Sequence, residues 1–353
     1  MLKSAIIGCG NIGPHHAHCY KQTREMRLAA VVDIVPERAQ KLAAAHGVPW
    51  FTDVREVLKR KDIDIIDVCV PSGLHGEIAI AAAKAGKHCL SEKPLDVTPQ
   101  RCDQIIRAFK KSGTTLGGVY QHRFADDSQR AKAAIEAGRL GRITLAACST
   151  PWWRTQEYYD SGDWRGTWKL DGGGCLMNQG IHAIDLLVWF AGPVRSVTAR
   201  TALLAHKRIE VEDVAVATVE FTSGALGIVQ GTTAAFPGAA VRHEIMGSGG
   251  MIYLEDDKAT LWQLRDEIEA GKKGAVTAVA AGAGAATHWS NLSSDIFVRC
   301  MDNFARAVRE GKPPLVTGEE HKKAVEIICA IYQSAQTGKP VKLPLKRFRS
   351  ARL

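Results

Sequence analysis

No two cysteines in this sequence form a C-x-x-C pair, although there are nine of them. The number is odd, the positions are scattered, and Cys9 falls inside a glycine-rich turn. Such spacing excludes a disulfide framework and a zinc site, and reads as reduced, mostly buried thiols. No apolar run approaches the ~20 residues that span a bilayer, so no membrane association is expected. Met1 stands almost on the first strand-like run. That leaves no room for a signal peptide and predicts a cytoplasmic protein. Aromatic residues make up 7% of the chain and do not interleave with basic ones, so nothing points to nucleic acid. The formal charge of +9 is moderate, and part of it sits in a solvated tail at Lys342, Lys346, Arg347, Arg349 and Arg352. Internal repeats are absent too. What is present is 353 residues with 46% hydrophobic content, enough for two domains with proper cores.

The organising stretch is Lys3 to Gly13, K-S-A-I-I-G-C-G-N-I-G. Ala5-Ile6-Ile7 reads as a buried strand that runs into Gly8-x-Gly10-x-x-Gly13 and then a helix. Gly8 permits the tight turn, Gly10 lets the backbone approach a pyrophosphate, and Gly13 lets helix and strand pack closely. The helix N-terminus, with Asn11 and Ile12 leading into it, offers N–H groups and partial positive charge to phosphates. A second apolar run, Leu28 to Val32, ends in Asp33, twenty residues beyond Gly13. An acidic residue there accepts both ribose hydroxyls of an adenosine and repels a 2′-phosphate. With Ile34 following, NAD is expected and NADP is the alternative, Arg38 being the nearby phosphate partner.

Strands at Asp64–Val70, His88–Ser91 and Thr115–Tyr120 alternate with helices at Pro36–His46, Ile78–Ala85 and Pro99–Lys111. That rhythm predicts a right-handed, doubly wound parallel sheet over residues 1–121. Afterwards a helix at Asp126–Ala137 and an extended run at Ile143–Thr150 precede six strand-like segments between Val197 and Leu264. Tight turns such as Ser223-Gly224 and Gly249-Gly250 separate them. Successive strands without helices between them predict an antiparallel meander, open on one face. Residues 270–286 read as a long surface loop, and helices at Ser294–Glu310 and Gly318–Thr337 close the chain. The second domain is therefore expected over 122–353, with the last helix available to pack back on the first.

Two further motifs carry chemistry. Glu92-Lys93-Pro94 follows the strand at His88–Ser91, at a carboxyl end where open α/β sheets bind ligands. A lysine there can hydrogen-bond a substrate hydroxyl and help remove its proton, and Pro94 can fix the loop through a cis bond. Asp171-Gly-Gly-Gly174-Cys-Leu-Met-Asn178-Gln-Gly180-Ile-His182-Ala-Ile-Asp185 brings three glycines to the start of a helix. The spacing places Asn178 and His182 on one helical face, with Asp185 able to orient the imidazole and Gly180 clearing room for a ligand. His182 can exchange a proton near neutral pH, whereas Asn178 can only hydrogen-bond.

Taken together, G-C-G-N-I-G at Gly8, E-K-P at Glu92 and G-G-G-C-L-M-N-Q-G-I-H-A-I-D at Gly172 resemble the glucose–fructose oxidoreductase/inositol dehydrogenase family (Gfo/Idh/MocA). Gly13-x-x-His16, Pro71-Ser72-Gly-Leu-His75 and Trp164-Arg165 support the resemblance, which runs to about residue 340. It implies an N-terminal Rossmann domain followed by an α+β domain with a large, mostly antiparallel open sheet, through which dimers or tetramers form. It further implies hydride transfer between NAD(P) and a CH–OH group of a sugar, cyclitol or similar small molecule. Lys93 and His182 become the catalytic pair. Asn178 stands where the family often has Asp, so a positioning role replaces an Asp–His relay. Pro71, Ser72, His75, Glu92, Lys93 and Gln121 become cofactor contacts. The run His15-His16-x-His18 follows the phosphate turn with no carboxylate nearby in sequence, so no metal is expected.

Substrate recognition is expected from Tyr158, Tyr159, Trp164, Arg165 and Lys169, since aromatics stack on sugar rings and Arg or Lys pairs with carboxylate or phosphate. Two other functions fit the same motifs. One is a glycoside lyase or hydrolase that oxidises its substrate only transiently with NAD. The other is a non-enzymatic, NAD-sensing regulator, against which intact Lys93 and His182 argue.

Overall fold

The structure, a computed structural model, describes residues 1–271, 275–276 and 294–348. These divide into two compact units, Met1–Gln121 with Ala286–Lys322, and His122–Ala285 with Lys323–Leu353.

In the first unit, strands β1 (Leu2–Ile7), β2 (Met26–Val32), β3 (Trp50–Phe51), β4 (Ile65–Val68), β5 (His88–Ser91) and β6 (Leu116–Gly118) lie in the order β3-β2-β1-β4-β5-β6. All pair in parallel. Helices α1 (Gly13–Cys19), α2 (Pro36–His46), α3 (Val54–Leu58), α4 (His75–Lys84) and α5 (Pro99–Ser112) alternate with them. Local chemistry sets their ends. Pro36 opens α2 and left-handed Gly47 closes it, while Thr98 caps α5 by accepting the Arg101 N–H and Gly113 stops it. Ile6, Val31, Ile65 and Leu90 are fully buried, each contributing about 1.5–3 kcal/mol on leaving water. Phe297, Met301 and Phe304 of the Ser294–Glu310 helix complete this core. Sequence order had grouped that helix with the later part of the chain. The strand order reverses at β1, which has β2 on one side and β4 on the other. A crevice at such carboxyl ends is where doubly wound sheets bind ligands.

The second unit contains α6 (Asp126–Glu136), α7 (Gln156–Asp160) and α8 (Ile181–Ala191) beside a nine-stranded sheet. Its strands are β7 (Ile143–Pro151), β8 (Val194–Ala202), β9 (Val214–Phe221), β10 (Leu226–Thr232), β11 (Arg242–Gly247), β12 (Gly250–Glu255), β13 (Lys258–Leu264), β14 (Ala275–Val276) and β15 (Val341–Lys342). The order β14-β13-β12-β11-β7-β10-β9-β8-β15 corrects the simple meander. β7 inserts between β11 and β10 and pairs in parallel with β10, the one parallel pairing in this sheet among the described residues. Alternation along β9 explains the two-faced character: Ala215, Ala217 and Val219 point inward, while Val216 on the opposite face is half exposed. The loop expected over 270–286 lies outside the described residues, apart from Ala270, Gly271 and the short β14. Arg349 and Arg352 also lie outside them. Among the described residues no helix is long and apolar enough to cross a membrane.

Candidate functional site

The glycine turn after β1 is dictated by its neighbours. Gly8 has φ +103°, and a Cβ there would come within 2.5 Å of the Cys69 carbonyl oxygen beyond β4. A Cβ on Gly13 would overlap the Gly8 carbonyl, so strand and helix can only pack this closely around glycines. Gly10 is different, because a Cβ there would meet no protein atom within 4 Å. Protein packing does not demand a glycine at that position, whereas close approach of a phosphate does. Ile12 caps α1 without a side-chain hydrogen bond, so the first N–H groups face outward beside Asn11. Asp33 lies at the carboxyl end of β2. Its Oδ2 accepts the Cys9 N–H at 2.7 Å and its Oδ1 the Val35 N–H at 2.8 Å, which holds the carboxylate against the turn. Ile34 beside it is 88% exposed. The turn, the acidic residue and the exposed Ile34 therefore fit a dinucleotide.

Pro71 and Ser72 enter a tight turn after β4. His75, expected as a cofactor contact, is buried with Nδ1 2.6 Å from the Pro94 carbonyl and Nε2 2.8 Å from the Val70 carbonyl. The ring thus braces one loop against the other, and burial lowers its pKa. The Lys93–Pro94 peptide is cis. Lys93 is half-buried and its N–H donates to Glu92 Oε2 at 3.0 Å. Gln121, just past β6, is buried.

Under this loop lies a constellation that the spacing did not reveal. His16 is wholly buried with Nδ1 2.9 Å from Asp67 Oδ2 and Nε2 2.9 Å from Glu92 Oε1. Burial opposes a charged imidazole, but Asp67 outweighs it and holds His16 well above the ordinary histidine range. Glu92 is held below the usual carboxylate range, since the His16 hydrogen bond and charge outweigh its burial. Tyr20 donates to Asp67 Oδ2 at 3.0 Å, and its oxygen lies 2.6 Å from the Ser4 hydroxyl. The ligand atoms of His16, Asp67 and Cys69 lie within 4.8 Å of one another. Both ring nitrogens of His16 are already engaged, and burial pushes the Cys69 thiol up, so hydrogen bonding accounts for the grouping.

In the second unit the residues expected to read a substrate come together. The Tyr158 hydroxyl accepts Arg165 Nη1 at 2.7 Å and Gln179 Nε2 at 2.9 Å, leaving its own O–H to donate. The Arg165 guanidinium lies over Tyr158 and Trp164, 4.3 and 4.5 Å from their ring centres, and Arg154 lies 4.8 Å from Tyr158. Tyr159, by contrast, is buried against Thr233, and Lys169 is exposed. Asn178 donates through Nδ2 to Asp171 Oδ1 at 2.6 Å, while Asp171 Oδ2 accepts the Gly166 N–H. His182 meets His122 edge to face at 5.0 Å, and His122 Nδ1 lies 2.5 Å from Asp257.

Three expectations about this stretch need correction. Cys175–Gly180 is a π-helical turn that becomes α-helical only at Ile181, so Asn178 and His182 do not share an ordinary α-helical face. Asp185, expected to orient His182, instead receives Arg123 in a bidentate pair at 2.8 and 2.7 Å. Gly180 is filled around by Cys175 and Leu176, and the close approach at the triple glycine is to the protein itself. A Cβ on Gly173 would overlap the Tyr332 hydroxyl, and one on Gly174 the Glu212 carbonyl. Glu212 was missed altogether. Its carboxyl accepts the N–H groups of Gly174 and Leu176 and the Tyr332 hydroxyl, all at 2.9–3.0 Å. Burial pushes it up to about 7.

Comparison with known proteins follows the same division. The family described as "Oxidoreductase family, NAD-binding Rossmann fold" matches residues 2–120, and the GFO/IDH/MocA C-terminal domain matches 128–253. Myo-inositol 2-dehydrogenase of Thermotoga maritima is 28% identical over 97% of this chain and 98% of its own. D-glucoside 3-dehydrogenase of Escherichia coli is 27% identical, over 97% of each. The WlbA dehydrogenase of Bordetella pertussis, solved with NADH and UDP-GlcNAcA, superposes with a TM-score of 0.85 at 32% identity, covering 98% of this chain and 99% of that one. The chain belongs to the Gfo/Idh/MocA oxidoreductase family, and its first 120 residues carry that family's NAD-binding Rossmann domain.

Proposed function

We propose that this enzyme oxidises a secondary hydroxyl of a sugar or cyclitol derivative with NAD, in the cytoplasm, and that the derivative carries an anionic group. The carrying observation is the cluster of Tyr158, Arg154 and Arg165, tied through Gln179 to the segment that bears Asn178 and His182. Tyr158 and Trp164 offer ring faces and a hydroxyl donor to a sugar. Arg165 suits carboxylate or phosphate. Relatives that span the chain act on inositol and glucosides, and the WlbA dehydrogenase holds a nucleotide-linked sugar acid.

When bound, NAD supplies the hydride acceptor. Residues 1–121 hold it, through Gly8, Gly10, Asn11, Ile12 and Gly13 at the pyrophosphate and Asp33 and Ile34 at the adenosine. Pro71, Ser72, His75, Glu92 and Gln121 shape the nicotinamide end. Residues 122–353 supply substrate contacts and the oligomer face. Lys93 and His182 act on the substrate hydroxyl, one donating a hydrogen bond and the other taking the proton, while Asn178 orients it. The half-exposed apolar face around Val216, Leu226 and Ile228 supports a homodimer or tetramer through the second sheet.

Purified enzyme with NAD or NADP and a panel of cyclitols, neutral sugars, uronic acids and nucleotide-linked uronates tests this reading. Reduction of NAD, fastest with an anionic sugar, is expected. Equal or faster turnover of neutral cyclitols removes the anionic assignment, and a preference for NADP removes the role given to Asp33.

A further inference from the structure

The residues beneath the Glu92-Lys93-Pro94 loop are arranged in a way that the proposed chemistry does not use directly. Glu92 divides its oxygens: Oε1 meets His16 Nε2 at 2.9 Å and Oε2 accepts the Lys93 N–H at 3.0 Å. His16 in turn reaches Asp67 with its other nitrogen. A neutral imidazole has only one N–H, so two carboxylate partners require the cation. The Asp67 end is finished by the Tyr20 hydroxyl and by the Cys69 thiol, whose Sγ lies 3.8 Å from Oδ1. Two carboxylates and one imidazole thus share a buried site under the loop.

A buried charged group of this kind is weak evidence for stability, because desolvation offsets much of the attraction. Its geometric effect is definite. We propose that His16 is a positioning residue for Lys93: by engaging Glu92 from below, it keeps that carboxylate ordering the loop backbone and away from the Lys93 amine. The proposal rests on Lys93 being catalytic. The groups facing this centre are His15 and Cys19 from α1 and Tyr20 just after it, Asp67 and Cys69 from β4 and the residues after it, His75 from α4, Cys89 from β5, Lys93 itself, and Cys300 from the Ser294–Glu310 helix. The charge of Lys93 acts on Glu92, which gives the arrangement a measurable consequence.

The test is competitive acetylation of Lys93 by acetic anhydride across pH, read by peptide mass spectrometry against exposed Lys84 in the same sample. Glu92→Gln removes a nearby negative charge and favours the neutral, reactive amine. Its Lys93 profile is expected about one pH unit lower, a roughly tenfold gain in reactivity on the acid side. His16→Gln removes the cation that engages Glu92, so the freed carboxylate pairs with the amine and the profile moves the opposite way. Lys84 stays put in both. Loosening of the loop alone would shift both variants in one direction or in neither, and either result overturns the proposal. Should His16→Gln not fold, Asp67→Asn removes the carboxylate that holds the His16 cation; it is expected to move the profile in the direction of His16→Gln, and an unmoved profile overturns the proposal. This labelling reads the setting of Lys93 without turnover, so its failure is distinct from loss of the catalytic assignment, which Lys93→Met tests.

Discussion

Lys93→Met lowers kcat by about 10²–10⁴-fold, the range that a positioned acid–base group supplies, and leaves NAD binding within a few-fold of wild type. The separation follows from where each group sits. The phosphate turn at Gly8–Gly13 and the Asp33 carboxylate belong to the ends of β1 and β2, whereas Lys93 follows β5. Methionine keeps the length and much of the volume of the side chain, and the Lys93 N–H that meets Glu92 survives the change. Steady-state rates of NAD reduction give kcat, and titration of protein fluorescence with the cofactor gives affinity. His182→Ala is expected to show the same division. A Lys93→Met enzyme with wild-type kcat would remove lysine from the chemistry, and one that no longer binds NAD would make it a cofactor contact only.

Arg123→Met destabilises the second unit by about 3–5 kcal/mol, as expected for breaking a buried ion pair from one side. Both partners are nearly inaccessible, 1% and 2% exposed, and the pairing is bidentate. Methionine fills much of the space but leaves the Asp185 carboxylate buried with a lost partner. The guanidinium also lies 5.4 Å from the centre of the Trp189 ring, so some packing goes with it. Denaturant unfolding, followed separately by tryptophan fluorescence and by far-ultraviolet dichroism, measures the loss. Arg123→Met combined with Asp185→Leu is expected to recover most of it, because an apolar pair of similar volume carries no uncompensated charge. A single variant as stable as wild type would mean that water or another group takes over Asp185. Because α8 carries both Asp185 and His182, turnover is expected to fall with stability in the single variant and return in the double.

Much of this was legible because it is local. Apolar runs closed by Gly8 and Pro71 marked β1 and β4, and Pro36 and Gly47 bracketed α2. The Gly8, Gly10 and Gly13 spacing is one turn of chain and can be read from ten residues. The Arg123–Asp185 pair, the Asp67–His16–Glu92 chain and the Glu212 clamp join residues tens of positions apart, and no local period reports them. The π-helical turn was hidden for a related reason. Spacing arguments assume 3.6 residues per turn, while the start of this turn is fixed by Glu212, whose side chain takes the Gly174 and Leu176 N–H groups and whose carbonyl takes the Cys175 N–H. The insertion of β7 beside β10 is likewise a choice among strands with similar alternation, made by the packing of the whole sheet. The triple glycine showed that backbone had to come close to something, but not that the partners were Glu212 and Tyr332.

The most direct test of hydride transfer to NAD is isotopic. A sugar that the enzyme turns over is deuterated at the carbinol carbon, and the mass of the cofactor is followed as ketone forms. Transfer as described here puts one deuterium into reduced nicotinamide for each ketone produced, and the reduced cofactor accumulates. Consumption of the sugar with deuterium retained in the product and no accumulated reduced cofactor would contradict net dehydrogenation, and would assign the enzyme to elimination or hydrolysis through transient oxidation.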